Sequence, residues 1–150
     1  MIVEIKHRGI DSYTVYNKDA KAKIYTISKK SLMGSRYVII KDSKNVCEIV
    51  RSPYDFKRVN ITIGEKALGY ISCDWTNRLD VKLNNGWYIS SDKKVGVYQI
   101  RGYGELKAKV LCKYGLSVKY SVEVSSEESL LTICAIILAL DIINYNEEKY

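Results

Sequence analysis

Most of the chain alternates. Apolar and polar positions follow a period of two, interrupted by short polar turns, which is the pattern of strands with one face buried. "SYTVYNKDAKAKIYTI" reads as a strand, a turn at Asn17 to Asp19 and a second strand. "RYVIIKDSKNVCEIVRS" repeats the design, with strands through Ile40 and Val50 around a turn from Lys41 to Asn45. In "RLDVKLNNGWYISS", Asn84, Asn85 and Gly86 tolerate positive φ and predict a hairpin. Leu79, Val81 and Leu83 alternate there with Arg78, Asp80 and Lys82. "ELKAKVLCKY" predicts Leu106, Ala108, Val110 and Cys112 inward and Lys107, Lys109 and Lys113 outward, and "GLSVKYSVEV" does the same with Val118, Tyr120, Val122 and Val124. About ten short strands of this kind predict an antiparallel barrel or sandwich.

The pattern changes at "SSEE". Ser125 and Glu128 have the spacing of a capping box, and Glu127 and Glu128 suit the positive end of a helix dipole. The stretch that follows, "LLTICAIILALDII", is apolar on every side, so a helix over 127–144 has to be surrounded by protein or by lipid. Leu130 to Ile143 rises only about 21 Å, short of the roughly 30 Å of bilayer hydrocarbon. Asp141 also lies inside the run, where an acid costs about 2.5–3.5 kcal/mol on insertion scales, and no basic cluster flanks it. The expectation is a core helix with no transmembrane span. Ile133, Ile136, Ile137 and Leu140 should be among its most buried positions.

Composition limits the chemistry. A chain of 150 residues with 47% hydrophobic content builds one domain, residues 1–150, and a single proline, Pro53, leaves no evident linker. Thirteen tyrosines against one phenylalanine favour strands. Cys47, Cys73, Cys112 and Cys134 form no CxxC, and His7 is the one histidine, so neither a zinc site nor a cofactor is expected. "MIVEIKHRGI" is charged from residue 4 and has no signal-peptide core, which points to a cytoplasmic protein with reduced thiols. Gly102 and Gly104 in "RGYGELK" precede an alternating stretch rather than a helix, so they predict a turn and not a phosphate loop. Trp75 and Trp87 stand beside turns, as core plugs or as interface anchors. Asp141 is expected to satisfy backbone amides or to reach the barrel mouth.

Two features carry a family resemblance. One is the repeated hairpin in "YTVYNKDAKAKIYTI" and "YVIIKDSKNVCEIV"; the other is the ending "KYSVEVSSEESLLTICAIILALDII", a strand, an acidic cap and an apolar helix closing on an aspartate. In these the chain resembles the tubby C-terminal-like superfamily, in particular its LURP-one-related members, and more distantly the phospholipid scramblases. The resemblance implies a mainly β fold: a closed antiparallel barrel of about twelve strands wrapping a central hydrophobic helix. Tubby proteins bind phosphoinositides and scramblases act on phospholipids, so it also implies a role at lipid surfaces.

Charge adds to that picture. Residues 1–120 hold 23 Lys and Arg against 11 Asp and Glu, whereas residues 121–150 hold one against six. With the helix inside, the strands carry the positive charge. Lys21 with Lys23 and Lys107 with Lys109 are expected on common strand faces, and Lys29, Lys30 and Arg36 flank a glycine-containing loop. These seven are the candidate contacts for anionic lipid headgroups; strand lysines also serve simply to protect edges and keep a protein soluble. No catalytic set is legible. The expected function is a non-enzymatic module associating peripherally with anionic phospholipid. The alternative is a protein-interaction or scaffold domain, with an enzyme or a nucleic-acid binder less favoured.

Overall fold

The computed structural model describes residues 1–7, 12–30, 36–76, 78–94, 96–113 and 118–143. The first strands are β1 (Ile2–His7), β2 (Ser12–Asn17), β3 (Ala22–Lys29), β4 (Arg36–Lys41), β5 (Lys44–Arg51) and β6 (Arg58–Ile63). They are followed by β7 (Lys66–Cys73), β8 (Leu79–Leu83), β9 (Tyr88–Ser91), β10 (Val97–Gly102), β11 (Glu105–Cys112) and β12 (Val118–Val124). A single 3-10 turn, Glu127–Ser129, leads into α1 (Leu130–Ile142). All twelve strands form one antiparallel sheet in the order β8-β7-β6-β5-β4-β3-β2-β1-β12-β11-β10-β9, curled into a nearly closed barrel around α1.

That order corrects one sequence expectation. The segment around Asn84-Asn85-Gly86 does reverse the chain, and the Gly86 amide donates to the Leu83 carbonyl. Yet β8 and β9 do not pair. They are the two edges of the sheet, β8 bonded to β7 and β9 to β10, so the turn crosses the seam of the barrel. The Asn84 side chain instead donates to the Ala67 carbonyl, which ties the turn to β7's side of the seam.

The barrel interior is built from alternate strand positions. Ile27, Ile39, Ile49, Ile61, Ile71 and Ile100 are each at most 1% exposed. Against them lies α1, in which Ile133, Ile136, Ile137 and Leu140 are at most 2% exposed, as their place in the apolar run predicts. The helix does not use the predicted capping box. Neither the 3-10 turn nor α1 has a side-chain cap, and the Ser125 hydroxyl donates to the Lys107 carbonyl in β11 at 3.0 Å. Residue 144, at the end of the predicted helix, lies outside the described residues.

One local device recurs. In the hairpins β2–β3, β4–β5, β6–β7 and β10–β11 the register shifts by one residue shortly after the turn. The extra residue is Ile24, Val46, Leu68 and Lys107 in turn, each immediately before a residue of the inward row. Such bulges bend and twist a strand, which closing a barrel requires. The first three are apolar and pack against the core. They also break the period of two, which explains a second correction: Leu106, expected inward, lies beyond the fourth bulge and is 41% exposed. The inward assignments of Tyr120, Val122 and Val124 hold; the side chain of Val118 lies outside the described residues.

Candidate binding surfaces at the barrel ends

The barrel has two unlike ends. The turn end gathers the four bulged hairpins, the β8–β9 connection and the start of α1. The loop end gathers the longer connections, among them 52–57 and 74–78, and the last turn of α1. Six of the seven candidate cations divide between them, and Lys109 stands in the middle of β11. Lys21, Lys23 and Lys107 lie toward the turn end; Lys29, Lys30 and Arg36 lie at the loop end.

Within these groups the pairing differs from strand alternation. Lys21 is in the β2–β3 turn with φ 53°, so it shares no strand face with Lys23. Lys107 is the fourth bulge residue. Its side chain is 18% exposed, its ammonium stands 5.4 Å from the centre of the Trp87 ring and bonds Glu105 at 3.2 Å. Lys109, two residues on, faces Asp92 at 3.7 Å. Both lysines line one shallow groove of about 350 Å³ with Leu106, Glu123 and Val124. Arg36 forms a two-pronged pair with Glu48, at 2.9 and 3.1 Å. The Lys30 amide donates to the Arg36 carbonyl, closing the base of a loop whose residues 31–35 lie outside the described set.

The two tryptophans separate. Trp87 is a core plug, 9% exposed and packed so closely on Gly102 that any Cβ there would meet the indole. Trp75 is 94% exposed at the loop end. Gly102 and Gly104 belong to the predicted turn, in which Tyr103 and Gly104 have φ of 55° and 76°. His7 is an exposed strand-end residue, as its isolation in the sequence suggests, with its ring 5.0 Å from that of Tyr13.

Asp141 reaches the barrel mouth, and there it collects partners that sequence reasoning missed. Its carboxylate accepts from Tyr13 Oη at 2.5 Å and from Tyr120 Oη at 2.6 Å, and pairs with Lys119 Nζ at 2.7 Å. A carboxylate in the last turn of a helix opposes the helix dipole. Lys119 and the two phenols offset that, and two more cations cap the helix: Arg51 donates to the Ile142 carbonyl at 2.6 Å and Lys57 to the Ile143 carbonyl at 2.9 Å. Burial, and then the Asp141 charge, push the Tyr120 phenol far above its ordinary range, so it remains a donor. Desolvation, and secondarily Lys119, hold His7 below the usual imidazole value, while Asp141 acts in the opposite sense. The set resembles a lock on the helix: the carboxylate, both phenols, Lys119, Lys57 and the Arg51 Nη2 all engage other protein groups.

Beside the mouth, two loops carry aromatic rings outward. Tyr54 is 97% and Phe56 71% exposed on the 52–57 loop, and Trp75 tops the 74–78 loop. The loops adjoin, since the Cys73 amide donates to the Lys57 carbonyl at 2.8 Å. The signal was present in the sequence: the only proline and the only phenylalanine stand together in "SPYDF".

Among the described residues no helix is long and apolar enough to cross a membrane, and no group of three or more His, Cys, Asp or Glu could hold a metal ion. The fold is similar to a solved structure, the X-ray structure of the Arabidopsis thaliana protein AT5G01750. The TM-score is 0.72 over 95% of this chain and 91% of that one, at 12% identity. At that identity the likeness is one of fold. No protein-family model matches the chain, and no curated protein matches it in sequence.

Proposed function

We propose that the chain is a tubby C-terminal-like barrel of LURP-one-related type, working as a non-enzymatic module that associates peripherally with anionic phospholipid headgroups, phosphoinositides among them. One observation carries the reading. The barrel is filled by its own helix, with eight consecutive residues, 133–140, buried, so recognition belongs to the exterior and the rims. There lies the basic excess of residues 1–120, 23 Lys and Arg against 11 Asp and Glu. Each basic residue near an anionic bilayer is worth about 1 kcal/mol, so a few acting together give reversible docking. No single pocket is required, because the attraction is that of a charged surface for another.

The test is co-sedimentation with vesicles in a salt series. Binding to vesicles rich in phosphatidylserine or phosphoinositide at low salt is expected, with steep loss as salt rises and none to neutral phosphatidylcholine. Protein left in the supernatant with anionic vesicles at low salt would sink the lipid reading. The protein-interaction reading would then lead, supported by β8 and β9, whose outer edges carry no strand partner among the described residues.

A further inference from the structure

From the loop end of the barrel we infer a specific docking edge: Tyr54, Phe56 and Trp75 are the side chains that enter an anionic bilayer interface, with the neighbouring cations at headgroup level. The inference rests on the lipid reading above and adds which end of the barrel meets the membrane and by which side chains.

Three observations support it. First, the rings are among the most exposed apolar side chains described, and they stand on two adjacent loop tips rather than on a strand face. A protein that uses almost no phenylalanine and little tryptophan has placed one of each in water. Tryptophan and tyrosine, with an apolar body and a polar tip, suit the headgroup zone of a bilayer.

Second, both loops are pre-shaped. The Asp74 carboxylate accepts from the Thr76 amide at 2.9 Å, the Thr76 hydroxyl at 2.7 Å and the Arg78 amide at 2.9 Å. Asp55 does the same for the Lys57 amide at 2.9 Å, and Ser52 accepts from the Tyr54 amide at 3.3 Å. Presenting rings from segments braced by such bonds costs little entropy on binding.

Third, the charge around the rings fits an anionic surface. The acids of the two loops turn back onto their own amides, whereas Arg58 and Arg78 directly follow the two loops, at the entries to β6 and β8. Arg58 is stacked 3.7 Å over the Tyr70 ring. Separate protruding rings set among cations suit a deformable, negatively charged interface better than a shaped protein pocket.

Trp75 makes the idea measurable, because the other tryptophan is buried. Vesicles of phosphatidylserine and phosphatidylcholine with brominated acyl chains should quench the exposed tryptophan and shift its emission to the blue. Trp75→Ala should abolish that response. Burying even a third of one ring corresponds to about a tenfold gain in partition, so Trp75→Ala and Phe56→Ala should each weaken binding by about that factor. Both sites are exposed, and an unchanged thermal midpoint confirms that the variants fold. If the protein pellets with anionic vesicles but Trp75 is not quenched and the variants bind as the parent does, the docking edge is wrong while the lipid reading stands. If nothing pellets at low salt, the lipid reading falls and the docking edge with it.

Discussion

Asp141 in the last turn of α1 accepts a hydrogen bond from Tyr13 in β2, 128 residues earlier in the chain, at 2.5 Å. That bond, with those from Tyr120 and Lys119, fixes where the helix stops inside the barrel. An apolar helix in an apolar sleeve has little to set its depth, since sliding by a turn exchanges one aliphatic contact for another. The carboxylate at its end supplies the register.

This arrangement has a measurable consequence. Hydrogen bonds to a charged group contribute about 1.5–3 kcal/mol each. Asp141→Asn should lower the unfolding free energy by about 2–3 kcal/mol, because it also leaves Lys119 facing a neutral amide. Tyr13→Phe should cost somewhat less. In the double variant the losses should overlap, with a coupling of about 1 kcal/mol or more in urea unfolding. Simple additivity would show that the short contact does not bind helix to strand.

The bulged hairpins yield a prediction at a residue first considered for its charge. Lys107 occupies the place held by Ile24, Val46 and Leu68 in the other three hairpins, and it covers Trp87. Lys107→Leu should therefore stabilise the fold, by about 0.5–2 kcal/mol, as filling a half-buried site with the residue its environment favours commonly does. Differential scanning calorimetry of parent and variant decides it; a fall in the midpoint would mean that the contacts of the ammonium with Glu105 and the ring outweigh burial.

Much of the fold was legible because its physics is local. Alternation marked the strands, and a 14-residue run without an amphipathic face could only be central. Closure was not local. Asn84-Asn85-Gly86 has the composition of a hairpin turn, but whether its flanking strands pair depends on where a twelve-stranded sheet meets itself. The bulges escaped for a similar reason: one extra residue in Lys23-Ile24-Tyr25 or Lys107-Ala108 is invisible to a count of alternate positions. The site was less legible still. Asp141 drew attention as a charge in an apolar run, but Tyr13, Lys119 and Tyr120 are ordinary strand residues until the barrel brings them to one mouth.

The thiols give a pH prediction. Burial pushes Cys47 and Cys134 from an ordinary value near 9 up to about 12. Below pH 9 both states hold these protons, so the two groups leave stability unchanged. Between 9 and about 12 the unfolded chain releases them while the folded chain does not, and stability falls as pH rises. Urea midpoints measured from pH 8 to 11 should decline over the upper part of that range. A Cys47→Ala, Cys134→Ala variant, less stable at every pH because of lost packing, should show a shallower decline. Parallel curves for the two proteins would remove the thiols as the cause.

The candidate lysines provide a test of orientation. β3 is eight residues long, so Lys21 and Lys23 at one end are separated from Lys29 and Lys30 at the other by about 20–25 Å. The Debye length at physiological salt is about 8 Å, so a flat anionic bilayer that touches one pair barely senses the other. With the loop end against the membrane, Lys29→Glu with Lys30→Glu removes two attractive charges and adds two repulsive ones. At about 1 kcal/mol per charge near the surface, vesicle binding should weaken by tenfold or more. The same double reversal at Lys21 and Lys23 should change it by less than about threefold at 0.15 M salt. Both variants carry the same net charge, so a difference between them reports position alone. Equal losses would mean that the attraction is spread over the whole barrel, and a larger loss at Lys21 and Lys23 would turn the molecule over, placing the tight hairpins and the groove beside Lys107 and Lys109 against the membrane.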